Sequence, residues 1–499
     1  MDELDAGLCA RRQRIAESMT EEIHKEIPAA VQRDSAENTV MVVGGGVAGI
    51  SAACALADAG FRVMLLERRG YLGGRAASYF HPGTGEVIDN CQHVLFGCCT
   101  NLLNLYRKLG VEDRIFWDSR MTLMEPGGRR SVLKPSKLPA PMHGLPAILR
   151  AKCFSAADKA SLLWAMGIMI LSRRPKPGRS LQSWLDAHLQ TTGAQRRFWE
   201  LVIASALNAS MDQIDLAYAQ KVIRELFLNS PAAGAMGMSR VPLSDLYAGT
   251  AEYLETRRGR LLHGQNVTAA QWDENTRRWS ISCEGETLQA EHLVLALPFE
   301  AMAKLLPQMP QCEATQNLQS RLNELMHWPI CSVHLWFDRE ITELDHAVLL
   351  DREIHWMYHK SRWQPSRTGD GSYVELVISA TREFAALGRQ QAIDRATEQL
   401  AEFFPAVKTA RVVKSALVKE VRATFGVPPG IDAIRPDAIS PWPQCFLAGD
   451  WVQTGWPATM EGAARSGYLA AEALCRSVGD PRQILAAELA PTGLMKLFV

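Results

Sequence analysis

The first residues able to do chemistry are a run of glycines. Gly44, Gly46 and Gly49 are spaced Gly-x-Gly-x-x-Gly and follow Thr39 to Val43, a short β-branched run. Ile50 to Ala59 is rich in alanine and reads as a helix closed by Gly60. Phe61 to Leu66 then reads as a second strand ending at Glu67. In such a unit the first glycine permits a tight turn, the second lets a pyrophosphate approach the backbone, and the third lets helix and strand pack closely. The amides at Val47 and Ala48 would meet the anion at the positive end of the helix dipole. Glu67 is placed to accept hydrogen bonds from a ribose diol. A lone glycine motif says little, but strand, helix and acid together predict dinucleotide binding.

Glu67-Arg68 leads into Gly73-Gly74-Arg75, which resembles the second half of the FAD signature of glutathione-reductase-type proteins. Arg75 offers a fixed positive charge to phosphates or flavin. Phe446 to Asp450, followed by Trp456-Pro457-Ala458-Thr459-Met460-Glu461-Gly462, resembles the closing motif of amine-oxidase and phytoene-desaturase-like flavoproteins. That resemblance implies Gly449 and Asp450 near the pyrophosphate and ribityl chain. It also implies a helix N-terminus at Ala458, Thr459 and Met460 facing the pyrimidine edge, where a positive dipole favours the charge of reduced flavin. Trp456 is expected beside the ring, and Val267 at the adenine end through its backbone. Arg240 to Leu246 and Asn266 fit the same plan.

Asp89-Asn90-Cys91-Gln92-His93-Val94-Leu95-Phe96-Gly97 is similar to the signature of hydroxysqualene dehydroxylases, also called squalene-associated FAD-dependent desaturases. Arg422 to Phe425, Pro429-Gly430, Arg435-Pro436 and Asp450-Trp451 through Gly467 match the same family. The resemblance runs from about residue 39 to 478. One departure is Cys91, where the family has glycine; a glycine needed for positive φ would force the loop to adjust. The family implies that hydroxysqualene loses its hydroxyl and gains hydride from reduced FAD, giving squalene. A dry apolar cavity would keep water from the cation. His93 is the expected proton donor to the leaving hydroxyl, since imidazole can be charged near neutral pH. Gln92 is expected to position the oxygen. Both could instead brace the loop. A carotenoid-type desaturase, an amine oxidase and a non-enzymatic polyprenyl-binding flavoprotein are the competing readings.

The elements that must position these residues are interleaved along the chain. The expected fold class is α/β: a glutathione-reductase-type FAD-binding Rossmann domain with an inserted mixed α+β substrate domain. Residues 39–100, 255–300 and 415–478 would build the cofactor domain. Residues 101–254 and 301–414 would build the substrate domain, between an extension at 1–38 and a tail at 479–499. Strands are expected at Ala77 to Phe80, Glu86 to Asp89, Arg260 to Ala270, Trp279 to Cys283, His292 to Leu297, Ile330 to Phe337 and Ser372 to Ile378. Thr100 to about Thr250 reads as mainly helical. The apolar runs Leu162 to Leu171 and Leu201 to Leu207 suit either a cavity wall or ordinary core.

Bulk properties agree with a globular enzyme. Of 499 residues, 47% are hydrophobic and 22% charged, and Lys plus Arg (54) equals Asp plus Glu (54). That balance gives no drive toward nucleic acid. Eleven cysteines without a Cys-x-x-Cys pair argue for reduced thiols and against a zinc or iron–sulfur site, so no metal is expected. The polar N-terminus carries Arg11, Arg12 and Arg14 and reads as a loose helical extension rather than a secretory signal. Leu162 to Leu171, bounded by Lys159 and by Arg173-Arg174, falls short of the about 20 residues that span a bilayer. The expected partners are an apolar isoprenoid substrate and an electron donor of unspecified kind. The expected location is the cytoplasm, with peripheral contact at the inner membrane face.

Overall fold

The computed structural model describes residues 38–172, 178–364 and 371–498. The extension with Arg11, Arg12 and Arg14, and the flanking Arg173-Arg174, lie outside the described residues. Thr39–Val43 is the central strand of a five-stranded parallel sheet. Its order is Arg260–His263, Arg62–Glu67, Thr39–Val43, His292–Leu295 and Cys445–Leu447. Val40, Met41 and Val42 are fully buried, because helices or other chain cover both faces of such a sheet. Three chain segments far apart in sequence therefore meet in one sheet. The helix Val47–Asp58 packs on the sheet and against the long helix Met460–Ser477.

A three-stranded antiparallel sheet, Val267–Asp273, Arg278–Cys283 and Glu286–Ala290, sits beside it. Trp279 is buried there and donates from Nε1 to the Pro443 carbonyl at 3.0 Å.

The rest is built on a seven-stranded mixed sheet. Its order is Val412–Phe425, His327–Phe337, Tyr373–Ser379, Trp356–His359, His346–Leu349, Met121–Met124 and Arg130–Leu133. Two sequence expectations need correction here. Residues 415–425, assigned to the cofactor part, form the edge strand of this larger sheet instead. Residues 100–250 are not mainly helical throughout: Ile115–Asp118, Met121–Met124, Arg130–Leu133 and Met236–Ser239 are strands. They are short, and each pairs with a distant segment or across a tight turn, so local periodicity does not reveal them. Ala156–Leu171 is a helix as expected, held at its start by a capping box of Ser155 and Asp158.

The C-terminal stretch is not a free tail. Met495 is fully buried, and Leu494 donates its backbone N–H to the Ala140 carbonyl at 2.8 Å.

Candidate active site

The glycine loop is tied to the neighbouring strand by Gly44 N–H donating to the Leu66 carbonyl at 2.8 Å. Gly46 is the N-cap of Val47–Asp58 and no side chain caps it, so the first-turn amides at Val47, Ala48 and Gly49 are left for an external anion. A Cβ at Gly46 would meet nothing closer than the Gly74 Cα at 3.9 Å, so the two glycines leave a shallow cradle between their backbones. A Cβ at Gly49 would lie 1.8 Å from the Gly44 carbonyl oxygen, which is why the helix packs as it does. Glu67 is buried and accepts from Gly45 N–H at 2.7 Å and Arg69 N–H at 2.8 Å. Arg68 beyond it is exposed. The Gln265 N–H donates to the Glu67 carbonyl at 3.0 Å, which draws the segment with Asn266 and Val267 to the same rim.

Arg75 crosses to the other end of the chain. Its Nη2 lies 2.6 Å from Asp450 Oδ1 and its Nη1 donates to the Ala423 carbonyl at 3.0 Å. Burial disfavours the guanidinium charge, but Asp450 beside it outweighs that and raises the Arg75 pKa. The loop from Asp450 to Trp456 is wound around buried Arg435. That guanidinium donates to the carbonyls of Asp450 (3.0 Å), Val452 (2.5 Å) and Trp456 (2.8 Å), and to the Tyr218 hydroxyl. The Arg435-Pro436 motif thus shapes the loop. Gly449 donates to Ser466 Oγ at 2.8 Å. Thr459, as N-cap of Met460–Ser477, accepts from Gly462 N–H at 3.0 Å. The helix therefore starts where the sequence places it, just past Ala458. An anion cradle, a buried acid at the end of the second strand, a fixed cation and a second helix N-terminus are the kinds of group that FAD requires.

Two cavities that share part of their lining open beside this end of the fold. The inner one, about 230 Å³, is lined by Gln92, Trp456, Pro457, Thr459 and Met460 among mostly apolar side chains. The second, about 420 Å³, is lined by Leu163, Met166, Gly167 and Ile170 of the helix Ala156–Leu171 and by Phe198. Met121, Leu226 and Phe227 line both. The apolar run 162–171 is thus cavity wall on one face. Leu201, from the second run, lines the inner cavity.

Behind Gln92 lies a cluster that the sequence did not disclose. Lys360 is buried and pairs with Asp89, also buried, while Glu375 Oε2 stands 3.3 Å away on its other side. Lys360 also donates to Gln92 Oε1 at 2.7 Å, and Gln92 Nε2 donates to the His93 carbonyl at 3.0 Å. Both ends of the amide are therefore held, and Gln92 lines the inner cavity. Asp89 and Lys360 are 271 positions apart, so no spacing could have joined them.

His93 differs from its expected role. Its Nδ1 lies 2.7 Å from the Cys91 carbonyl oxygen. A carbonyl only accepts, so Nδ1 carries the hydrogen and the neutral ring keeps a lone pair at Nε2. Burial lowers the His93 pKa, against the pull of the Cys91 carbonyl and of Asp89 and Glu375. The ring lines neither cavity. A neutral imidazole with no hydrogen at Nε2 is poorly made to protonate a leaving group. Cys91 itself keeps φ outside the left-handed region, so cysteine replaces glycine there without backbone strain. Its thiol is buried, which raises its pKa well above the ordinary value.

The inner cavity also has a polar end. Lys221 and Glu225 line it, and so does Ser205, whose buried hydroxyl has no hydrogen-bond partner among the described residues. Trp456 is clamped there. Its Nε1 donates to Glu488 Oε1 at 3.0 Å, and Lys221 Nζ sits 5.0 Å from its ring centroid. No group of three or more His, Cys, Asp or Glu able to hold a metal occurs among the described residues.

A family model described as flavin containing amine oxidoreductase matches residues 47–475. The chain is 27% identical over 460 residues to the 15-cis-phytoene desaturase of Synechococcus elongatus, covering 87% of this chain and 95% of that one. It is 27% identical over 476 residues to the zeta-carotene desaturase of Synechocystis, covering 87% and 96%. Among solved structures, cyclohexylamine oxidase from Brevibacterium oxydans superposes with a TM-score of 0.64 at 17% identity, covering 89% of this chain and 99% of that one.

Proposed function

This chain belongs to the flavin containing amine oxidoreductase family and is an FAD-dependent oxidoreductase, and on that premise we propose that it reduces hydroxysqualene to squalene with loss of water. One observation carries the reading. The inner cavity is apolar along most of its wall, yet the polar residues Gln92, Ser205, Lys221 and Glu225 are among those that line it. A pure hydrocarbon gives such residues nothing to bind, and a polar group left unpaired in an apolar cavity costs about 1–3 kcal/mol. An alcohol on an isoprenoid chain satisfies them. When bound and reduced, FAD supplies a hydride equivalent.

The residues of the chain do the rest. Gln92, fixed by Lys360 and by the His93 carbonyl, orients the hydroxyl oxygen. The apolar walls exclude water from the carbon as the C–O bond breaks. The second cavity, across the shared wall of Met121, Leu226 and Phe227, takes the remaining chain once those side chains part, and together the two volumes fall in the range of ordinary ligand pockets, about 300–1,000 Å³. Gly44, Gly46, Val47, Ala48, Gly49, Glu67, Gly74, Arg75, Gly449 and Asp450 hold the cofactor in this reading, with Val267 at the adenine end and Trp456, Ala458, Thr459 and Met460 at the ring.

The substrate arrives from lipid. The helix Ala156–Leu171 lines the second cavity on one face and exposes Trp164 and Leu171 on the other. Leu138, Met142 and Leu149 are exposed on the neighbouring segment of that cavity's wall, among exposed Lys137, Arg150 and Lys152. No helix among the described residues is long and apolar enough to cross a membrane. This face rests on the bilayer and feeds the cavity behind it.

The similarity to phytoene and zeta-carotene desaturases supports a second reading, in which oxidised enzyme introduces a double bond into a hydrocarbon. One anaerobic experiment separates the two. Dithionite-reduced protein mixed with hydroxysqualene is expected to yield squalene while the flavin returns to its oxidised spectrum. A new double bond formed from phytoene or squalene by oxidised protein, with no reaction of the reduced protein, overturns the dehydroxylase reading.

A further inference from the structure

The polar end of the inner cavity holds three carboxylates, Glu225, Glu461 and Glu488, against two cations, Lys221 and Arg465. Glu225 and Glu461 are buried and Glu488 is part-exposed, and crowding three carboxylates onto two cations is costly unless one carboxyl keeps its proton. Hydrogen bonding identifies which. Glu461 accepts from the backbone N–H groups of Asn101 (3.2 Å) and Leu102 (2.9 Å) and from Asn101 Nδ2 (2.9 Å), at the start of the helix Thr100–Lys108. Burial raises its pKa, and these three donors, which favour the carboxylate, oppose that rise. Glu488 accepts both oxygens' worth of Lys221 at 2.8 Å each, together with Trp456 Nε1, and Arg465 stands 3.5 Å away. Those contacts overcome its burial and lower its pKa.

Glu225 is left. Lys221 Nζ lies 3.1 Å from its Oε1, but that ammonium is already shared with Glu488. Around it stand Asn229, Glu488 and the buried Cys98 thiol, none of which adds positive charge. Burial raises the Glu225 pKa, and Lys221 offsets this only in part. Glu225 belongs to Arg224–Leu228, a π-helical turn continuing the helix Leu216–Ile223; such turns recur where a side chain must be aimed at a site. Glu225 lines the same cavity as Gln92, Ser205, Trp456 and Met460. Lys221 and Glu488 carry the connection outward, with side chains 24% and 41% exposed.

We propose that Glu225 is the proton-bearing acid of the inner cavity and protonates the hydroxyl of the bound alcohol, a role that rests on the dehydroxylase reading. The balance is complete. The carboxyl O–H breaks and a new O–H forms on the leaving oxygen. The C–O bond breaks and water departs. The carbon takes up the hydride that the two-electron-reduced flavin supplies. Glu225, now a carboxylate, regains its proton from solvent on the part-exposed Lys221–Glu488 side. His93 has no part in this transfer.

The test uses FAD-loaded protein. In infrared difference spectra at neutral pH, wild type is expected to show a protonated-carboxyl band that disappears in Glu225→Gln and shifts in Glu225→Asp. In single turnover, hydroxysqualene should reoxidise reduced Glu225→Gln about 10²–10⁴-fold more slowly than wild type, with flavin content unchanged. Glu225→Asp should recover part of the rate and keep the fall in rate at high pH that Glu225→Gln loses. No band lost on substitution, or a Glu225→Gln rate equal to wild type, overturns the inference. If wild type fails to react with hydroxysqualene while the band is present, the substrate reading falls and Glu225 stands as the proton-bearing group of the cavity.

Discussion

Arg75 and Asp450 are 375 positions apart in the chain and 2.6 Å apart in the fold. Their contact joins the cofactor signature at the N-terminal end to the closing motif at the C-terminal end. Asn90 extends the link, donating from Nδ2 to the Arg75 carbonyl at 3.2 Å and to Glu420 Oε2 at 3.1 Å. The Asp89–His93 loop is thereby held against the same arginine. The cofactor-facing loops are thus fastened to one another rather than only to the sheet.

Replacing Arg75 by Lys should weaken FAD binding even though the charge is kept. Lysine can satisfy Asp450 or the Ala423 carbonyl, not both in the fixed fork of a guanidinium. A charge-assisted hydrogen bond contributes about 1.5–3 kcal/mol, so the Kd for FAD should rise by roughly tenfold to a hundredfold. Titration of apo-protein with FAD, followed by fluorescence, reads this directly; an unchanged Kd would show that the pair does not organise the site.

Gly46 and Gly49 should fail in different ways. A Cβ at Gly46 meets no protein atom within 3.9 Å, so Gly46→Val is expected to fold and purify without flavin. A Cβ at Gly49 would lie 1.8 Å from the Gly44 carbonyl, so Gly49→Val should lose the fold itself. Circular dichroism and absorbance at the flavin band separate the two outcomes. Full flavin content in Gly46→Val would sink the assignment of the cradle.

The glycine loop, Glu67, Arg75 and the helix beginning at Met460 were legible in the sequence because each is a local pattern with a local physical cause. The strands at Ile115–Asp118 and Met236–Ser239 were not, since four-residue strands pair through partners distant in the chain. Lys360 and Glu225 were invisible for the same reason. Nothing near either residue in sequence tells that Lys360 will neutralise Asp89, or that Glu225 will end in a cavity wall. The sequence proposed His93 from its chemistry and its place in the signature loop, and the Cys91 carbonyl decides which of its nitrogens holds the hydrogen.

Substituting His93 by Ala should therefore slow oxidation of the flavin by hydroxysqualene by less than tenfold. A general acid would be worth about 10²–10⁴-fold. Lys360→Met should cost more, because it frees the Gln92 amide and leaves Asp89 and Glu375 buried without their cation. Stopped-flow traces of the reduced proteins compare the two. A loss beyond a hundredfold in His93→Ala, with FAD retained, restores His93 as the donor.

The apolar face near the second cavity predicts binding to lipid. Trp164→Glu combined with Leu171→Glu should reduce co-flotation with anionic vesicles at least several-fold while leaving flavin content and thermal stability unchanged, since both side chains are exposed. High salt should release wild type only in part, because apolar contact survives screening. Equal flotation of the double variant and wild type places the contact elsewhere.

Stability should fall on the acid side of neutrality, partly through His355. Burial brings its pKa down from 6.5 to about 4. Its Nδ1 accepts the Ser379 backbone N–H at 3.2 Å, a bond that a protonated nitrogen cannot accept. The unfolded chain takes up this proton near pH 6.5 and the folded chain only near 4. Between those values the unfolded state holds more protons, so stability is present above pH 6.5 and lost as the pH falls toward 4. His359, likewise buried and brought to about 4, contributes in the same sense. His355→Asn keeps an acceptor for Ser379 without a titrating ring. Its Tm should therefore drop less steeply between pH 6.5 and 4.5 than that of wild type. Parallel Tm curves for the two proteins would assign the acid sensitivity to other groups.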